Sequence, residues 1–164
     1  FEWQQIPLSR AVKDIDHVDF SYQTTNGKVL DDPACVNMGN PHAVFFVDDV
    51  EAYALDVNGP ILEHDALFPE RANISLVKVV DRTHIIQKVW ERGAGLTLAC
   101  GSGACAAVVA AARRALTDRK VRVTLPGGDL IIEWRAQDSH VLMTGPVALE
   151  HHGVLDESVF KDMT

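Results

Sequence analysis

Residues 103–116 contain a run of small apolar side chains that is nearly unbroken, Ala104-Cys105-Ala106-Ala107-Val108-Val109-Ala110-Ala111-Ala112 at its centre. Alanine is the strongest helix former, and a helix apolar on almost every face must be covered on almost every face. At nine residues the stretch is far too short to span a bilayer. What surrounds it supplies the cover. Residues 74–80 and 83–90 are rich in β-branched side chains, with Asp81-Arg82 as a tight link. Strand patterns resume at 121–125, turn at Pro126-Gly127-Gly128, and continue through 130–134 and 140–144. Strands on both sides of one buried helix point to an α+β fold with a strongly curved sheet wrapped around that helix. Small side chains on the helix let the strands approach closely.

The segment ahead of this block is less regular. Residues 1–30 read as a lead-in: Ile6-Pro7-Leu8 extended, a polar stretch, then a strand at 18–22, with Asn26-Gly27 as a turn. Residues 43–47 form a short strand. Asp48-Asp49 follow as N-cap candidates for a helix over 50–55. Asn58-Gly59-Pro60 is expected to stop that helix, and 61–67 to form a second short one. The whole chain of 164 residues reads as a single domain.

Charge and cysteine content narrow the function classes. The net charge of -8, with no Lys/Arg cluster, argues against nucleic acid or an anionic membrane as partner, though not against a small anionic substrate. Three cysteines, Cys35, Cys100 and Cys105, are an odd number, and no secretory leader is recognisable. Reduced thiols in the cytoplasm are therefore expected. No C-x-x-C pair or His/Cys cluster has metal spacing, so a zinc site is not expected.

The most informative segment is Glu91-Arg92-Gly93-Ala94-Gly95-Leu96-Thr97-Leu98-Ala99-Cys100-Gly101-Ser102-Gly103. A cysteine stands just before a glycine-rich turn into the buried helix. Free N–H groups and the macrodipole at a helix start favour negative charge, so a carboxylate ligand fits there and the Cys100 thiol is expected to have a lowered pKa. Cys105, inside the helix, reads as core, and Cys35 as incidental.

The same segment resembles the second active-site motif of diaminopimelate epimerases, Glu-Arg-Gly followed by Ala-Cys-Gly-Thr/Ser-Gly. Asn37-Met38-Gly39-Asn40-Pro41-His42 is similar to that family's Gly-Asn-Pro-His element, and Phe68-Pro69-Glu70-Arg71-Ala72-Asn73-Ile74 to its Phe-Pro-x-x-x-Asn-Val element. The resemblance implies a mainly antiparallel, barrel-like sheet and cofactor-independent interconversion of LL- and meso-diaminopimelate, with one cysteine on each side of the substrate's Cα. It implies that Cys100 is the second catalytic cysteine and that Gly101 and Ser102 hold the α-carboxylate through backbone N–H groups. Asn40 and Asn73 would bind substrate. Glu91 and Arg92 would form a charged pair at the pocket, with Glu91 bearing on cysteine protonation. His42 would influence the partner cysteine. Read without the motif, each residue keeps a plainer role: Asn40 shapes a turn, His42 is a satisfied buried histidine, Glu91 and Arg92 pair at the surface, Asn73 caps a loop, and Ser102 caps the helix.

The family's first cysteine lies in a Cys-Gly-Asn-Gly element of an N-terminal domain, whereas Cys35 here is followed by Val36-Asn37-Met38. The chain is therefore expected to correspond to the C-terminal half of a two-domain homodimeric enzyme and to be inactive alone, with a tail at about 146–164 packing on the other half. Leu96 stands where many members carry Glu, Ser102 where Thr is commoner, and His151 where some carry a tyrosine at a dimer contact. A proline racemase or hydroxyproline epimerase shares the Cys-Gly-x-Gly turn but differs before the cysteine. A non-catalytic carboxylate-binding domain is the alternative outside enzymes.

Overall fold

The computed structural model describes residues 2–149, 151–154, 156 and 158. Its strands are β1 (Ser21–Gln23), β2 (Val29–Asp31), β3 (Ala34–Asn37), β4 (Pro41–Phe46), β5 (Asn73–Asp81), β6 (His84–Glu91), β7 (Gly95–Leu96), β8 (Lys120–Leu125), β9 (Gly128–Trp134) and β10 (Val141–Thr144). Its helices are α1 (Leu55–Glu63), preceded by a 3-10 turn at Val50–Tyr53, and α2 (Gly101–Arg113). β1 and β2 pair as a separate hairpin around Asn26-Gly27, where Gly27 takes the positive φ of 82° that the turn requires. The other strands form one sheet in the order β10-β9-β8-β6-β5-β4-β3, with β7 also paired to β6.

The sheet is mainly antiparallel, as the resemblance implies, with two parallel pairs, β4–β5 and β6–β8. A parallel pair cannot be joined by a hairpin and needs a crossover. Each helix is one such crossover: α1 links β4 to β5, and α2 lies on the path from β6 to β8.

Both faces of the sheet are covered. On the inner face Ala104, Ala106, Ala107, Val108 and Ala110 of α2 pack against Val36, Val44, Val77, Ile85, Val123 and Ile132. Residues 106–111 have no exposed surface. α2 touches β3 and β10, which are opposite edges of the sheet. Seven strands laid flat at ~4.8 Å spacing would put those edges ~29 Å apart, beyond a helix ~20 Å long and ~10–12 Å across. The sheet therefore has to curl around α2, as the alanine run requires. On the outer face Leu55 and Leu62 of α1 meet Phe45, Ile74, Leu76 and Phe68. The lead-in completes this layer, since Ile6, Leu8, Ile15 and Val18 are buried in the same cluster.

Several element boundaries differ from the sequence reading; the strand expected at 18–22, for one, lies at Ser21–Gln23. Asn58-Gly59-Pro60 does not stop a helix; α1 runs through it, and the break falls earlier, at Ala54 in the left-handed region (φ 43°). Asn58 is buried because its side chain is fully used: it accepts from Tyr22 Oη (3.1 Å) and Thr25 N–H (3.0 Å) and donates to the Tyr53 and Ala54 carbonyls. Gly59 leaves room for the Trp90 ring. Pro60 removes only one backbone donor. The expected helix over 61–67 is accordingly the end of α1 followed by turns. α2 stops at Arg113 and not near Leu116, because Ala115 turns left-handed (φ 57°) and Leu116 N–H bonds back to the Ala111 carbonyl. Among the described residues no helix is long and apolar enough to cross a membrane.

Candidate active site

β6 pairs with β8 through His84–Ile86 and with β7 through Trp90 and Glu91, so residues 87–89 lie between two partners. The chain leaves β7, passes 97–99 and enters α2 beside this split. Cys100 is the N-cap of α2, extended at φ -138°, with its Sγ accepting the Gly103 N–H at 3.3 Å. The first N–H groups of a helix have no carbonyl behind them. That of Gly103 goes to the sulfur, and those of Gly101 and Ser102 have no backbone acceptor among the described residues. Glycine suits the turn, where an added Cβ would press on its neighbours. A Cβ on Gly103 would lie 3.1 Å from the Cys100 sulfur and 3.3 Å from Gln87 Nε2, and one on Gly101 would lie 3.1 Å from the Met143 sulfur.

Three more of the expected residues converge on this helix start. Ser102 Oγ lies 3.6 Å from Cys100 Sγ, and Asn40 Nδ2 lies 3.4 Å from Ser102 Oγ. Asn40 Oδ1 is in turn 2.9 Å from Nε2 of His42, which is fully buried on β4. His42 Nδ1 is buried with no partner among the described residues. Glu91, at the end of β6, accepts from Thr97 Oγ1 at 2.5 Å and also faces the Cys100 thiol.

Asn73 and Arg92 take different places. Asn73 is 2 % exposed; its Nδ2 donates to the Pro41 carbonyl (2.8 Å) and its Oδ1 accepts the Arg92 N–H (3.0 Å). Both ends of its carboxamide are thus committed to backbone. The Arg92 guanidinium is exposed and donates to the Glu70 carbonyl at 3.0 Å.

One residue of the site was missed in the sequence. Glu63, at the end of α1, is 3 % exposed, and its carboxylate accepts from Trp90 Nε1 (2.7 Å) and from the Gly93 N–H (3.1 Å), with Arg71 Nη1 at 3.7 Å. Asn73 and Glu63 therefore hold consecutive N–H groups of the Glu91-Arg92-Gly93 turn. With α1 read correctly, Glu63 falls on the helix face of Leu55, Gly59 and Leu62, and a carboxylate on an apolar face is the signal that would have found it.

The electrostatics correct two expectations. The Cys100 thiol is pushed up, not down: burial is the largest cause, and the facing Glu91 adds to it, while Ser102 and the Gly103 N–H pull the other way. Cys105 is half-buried and not core, and its thiol is raised by burial and by proximity to Cys100. Burial pushes Cys35 up to about 12. His42 is pushed down to about 4 by burial and then by the Arg92 charge, so it is neutral near pH 7. Among the described residues no group of three or more His, Cys, Asp or Glu side chains is placed to hold a metal ion.

The site is open on one side, with Leu98 71 %, Met143 55 % and Leu96 44 % exposed. Of the expected tail only part falls within the described residues, where Val147, Leu149, His151 and Val154 are exposed.

A family model described as diaminopimelate epimerase matches residues 34–150. A relative from Methylocella silvestris, named diaminopimelate epimerase, is 60% identical over 96% of this chain and 54% of its own length. One of the same name from Afipia carboxidovorans is 56% identical over 98% of this chain and 55% of its own. The chain thus spans about half the length of the curated relatives it matches. A solved phenazine biosynthesis protein of the PhzF family from Bacillus anthracis overlaps 76% of this chain and 38% of its own, at 20% identity and a TM-score of 0.47, a likeness too distant to bear on function.

Proposed function

The chain belongs to the diaminopimelate epimerase family, and on that premise we propose that it is one half of an enzyme inverting Cα of diaminopimelate, LL to meso and back. In this reading Cys100 is the acid/base group on one face of Cα. The observation that carries it is the Cys100 N-cap: a sulfur flanked by the Ser102 hydroxyl and the Glu91 carboxylate, beside two N–H groups with no backbone acceptor among the described residues.

Each part has a chemical use. A single base would return the proton to the face it came from, so inversion needs a second acid/base group opposite. As the α-proton leaves, negative charge spreads toward the α-carboxylate, and the Gly101 and Ser102 N–H groups at the helix start are oriented to meet it. Burial and the Glu91 carboxylate raise the Cys100 thiol, which in this half favours its protonated, proton-donating form. Asn40 would contact substrate alongside Ser102, whereas Asn73 acts by holding Pro41 and Arg92 in place. Neutral His42 is fully buried within this half, so an influence on a cysteine presented by another domain would pass through Asn40 and not by direct contact of Nδ1. That domain, in a cytoplasmic homodimer, would supply the opposite group and cover Leu98 and Met143.

The test joins the first half of the Methylocella silvestris relative to this chain and follows LL-diaminopimelate in D₂O by NMR. The joined protein should invert Cα with incorporation of one deuterium and leave L-proline unchanged. Cys100→Ala should lower the rate by about 10²–10⁴-fold or more. This chain alone should give no inversion. A joined Cys100→Ala protein as fast as its parent, or turnover of proline in preference, would overturn the reading.

A further inference from the structure

Four side chains from two distant stretches of sequence form a continuous polar line into the Cys100 sulfur. His42 Nε2 is 2.9 Å from Asn40 Oδ1, Asn40 Nδ2 is 3.4 Å from Ser102 Oγ, and Ser102 Oγ is 3.6 Å from Cys100 Sγ. The last two links are long, the final one because sulfur is large.

The first two links each run in one direction. A carboxamide oxygen accepts and never donates, so the hydrogen between His42 and Asn40 sits on Nε2. With Oδ1 turned to His42, the Asn40 NH₂ faces Ser102, and Ser102 Oγ accepts from it. In the last link either atom can donate: the hydroxyl keeps one hydrogen that it can give to a thiolate, and a lone pair that can take the hydrogen of a thiol. The neutral imidazole completes the pattern, since its other nitrogen, Nδ1, is the one without a partner among the described residues.

We propose that His42 is a positioning residue for Cys100: through Asn40 it holds the Ser102 hydroxyl where it can donate to the sulfur and so favours the thiolate. On the other side stands Glu91, whose nearby carboxylate favours the protonated thiol and disfavours the thiolate. The other titratable or charged neighbours are Cys105 on α2 itself and Arg92, which acts on His42. With the hydroxyl held on one side and the carboxylate on the other, the sulfur can gain or lose its proton without a side chain turning over. This deepens the reading of Cys100 as an acid/base group. It concerns titration of the thiol and not turnover, so its failure would leave the epimerase reading standing.

The experiment follows the ¹³Cβ shift of Cys100 against pH in cysteine-labelled protein, with resonances assigned through Cys35→Ser and Cys105→Ser. Ser102→Ala should raise the titration midpoint by about one pH unit, since a charge-assisted hydrogen bond is lost. His42→Leu should also raise it, and His42→Gln, which keeps an N–H donor toward Asn40, should restore part of the difference. The deciding comparison is the double variant. If His42 acts through Ser102, His42→Leu adds nothing in the Ser102→Ala background. Asn40→Ala, at a half-buried turn position, serves the same comparison should the buried His42→Leu variant fail to fold. An unmoved midpoint in Ser102→Ala, or effects of His42 or Asn40 that add fully to it, would overturn the proposal.

Discussion

At the level of single residues, the buried imidazole of His42 makes stability depend on acidity. Its pKa in the fold is about 4, below the roughly 6.5 of an unfolded histidine. Between those values the unfolded chain binds more protons than the folded one, so stability rises with pH across that window. The contribution is fully present above about pH 6.5 and is lost as pH falls toward 4, on the order of 3 kcal/mol at most. Urea midpoints at pH 7 and pH 5 should separate more in the wild-type chain than in His42→Gln; equal separations would contradict the buried, neutral imidazole. The residues around it divide by how visible they were beforehand. Cys100, Gly101, Ser102, Asn40, His42 and Glu91 carry motif signals and do meet at the start of α2. The direction of the Cys100 shift was not visible, because burial and the Glu91 carboxylate come from tertiary packing while only the helix N-terminus can be read locally.

Among the elements, α1 shows where local rules give way. Asn58-Gly59-Pro60 has the composition of a stop, yet Asn58 and Gly59 each have a partner outside the helix. Tyr22 and Thr25 occupy Asn58, and the Trp90 ring lies where a side chain on Gly59 would be. A Cβ at that glycine would come within 2.6 Å of the ring carbons. Gly59→Ala therefore tests which effect wins. In an unencumbered helix it stabilises by about 1 kcal/mol; against a fixed indole it should cost about 1–3 kcal/mol. A drop in Tm with loss of the Trp90 Nε1–H resonance position is expected, and a higher Tm would show that the ring moves freely. By contrast α2 was legible nearly to its last turn, since a run of alanines leaves no competing period, and only the left-handed Ala115 was not marked by a glycine or asparagine. The burial of the lead-in was not legible because its apolar residues are widely spaced; Ile6, Leu8, Ile15 and Val18 each reach the outer layer from irregular backbone.

For the molecule as a whole, the curl of the sheet follows from the girth of α2. Ala107 has no exposed surface and faces the strands directly. Ala107→Leu should push the wall outward and lower stability by about 1–3 kcal/mol, read as an earlier urea midpoint with an unchanged slope. A neutral result would mean slack between helix and sheet. Strands flanking one buried helix made this wrapping legible, but not the placement of β8 beside β6, which only pairing across the sheet decides. That placement has a consequence for biosynthesis. α2 leaves the ribosome before β8, β9 and β10, which line one side of its bed. At about 5–20 residues per second the missing wall is a few seconds behind, and during that delay the alanine helix has β3, β4, β5 and β6 on one flank and bare apolar surface on the other. The nascent chain is then most in need of a chaperone, and synonymous codons that slow translation after Arg113 would lengthen the exposure.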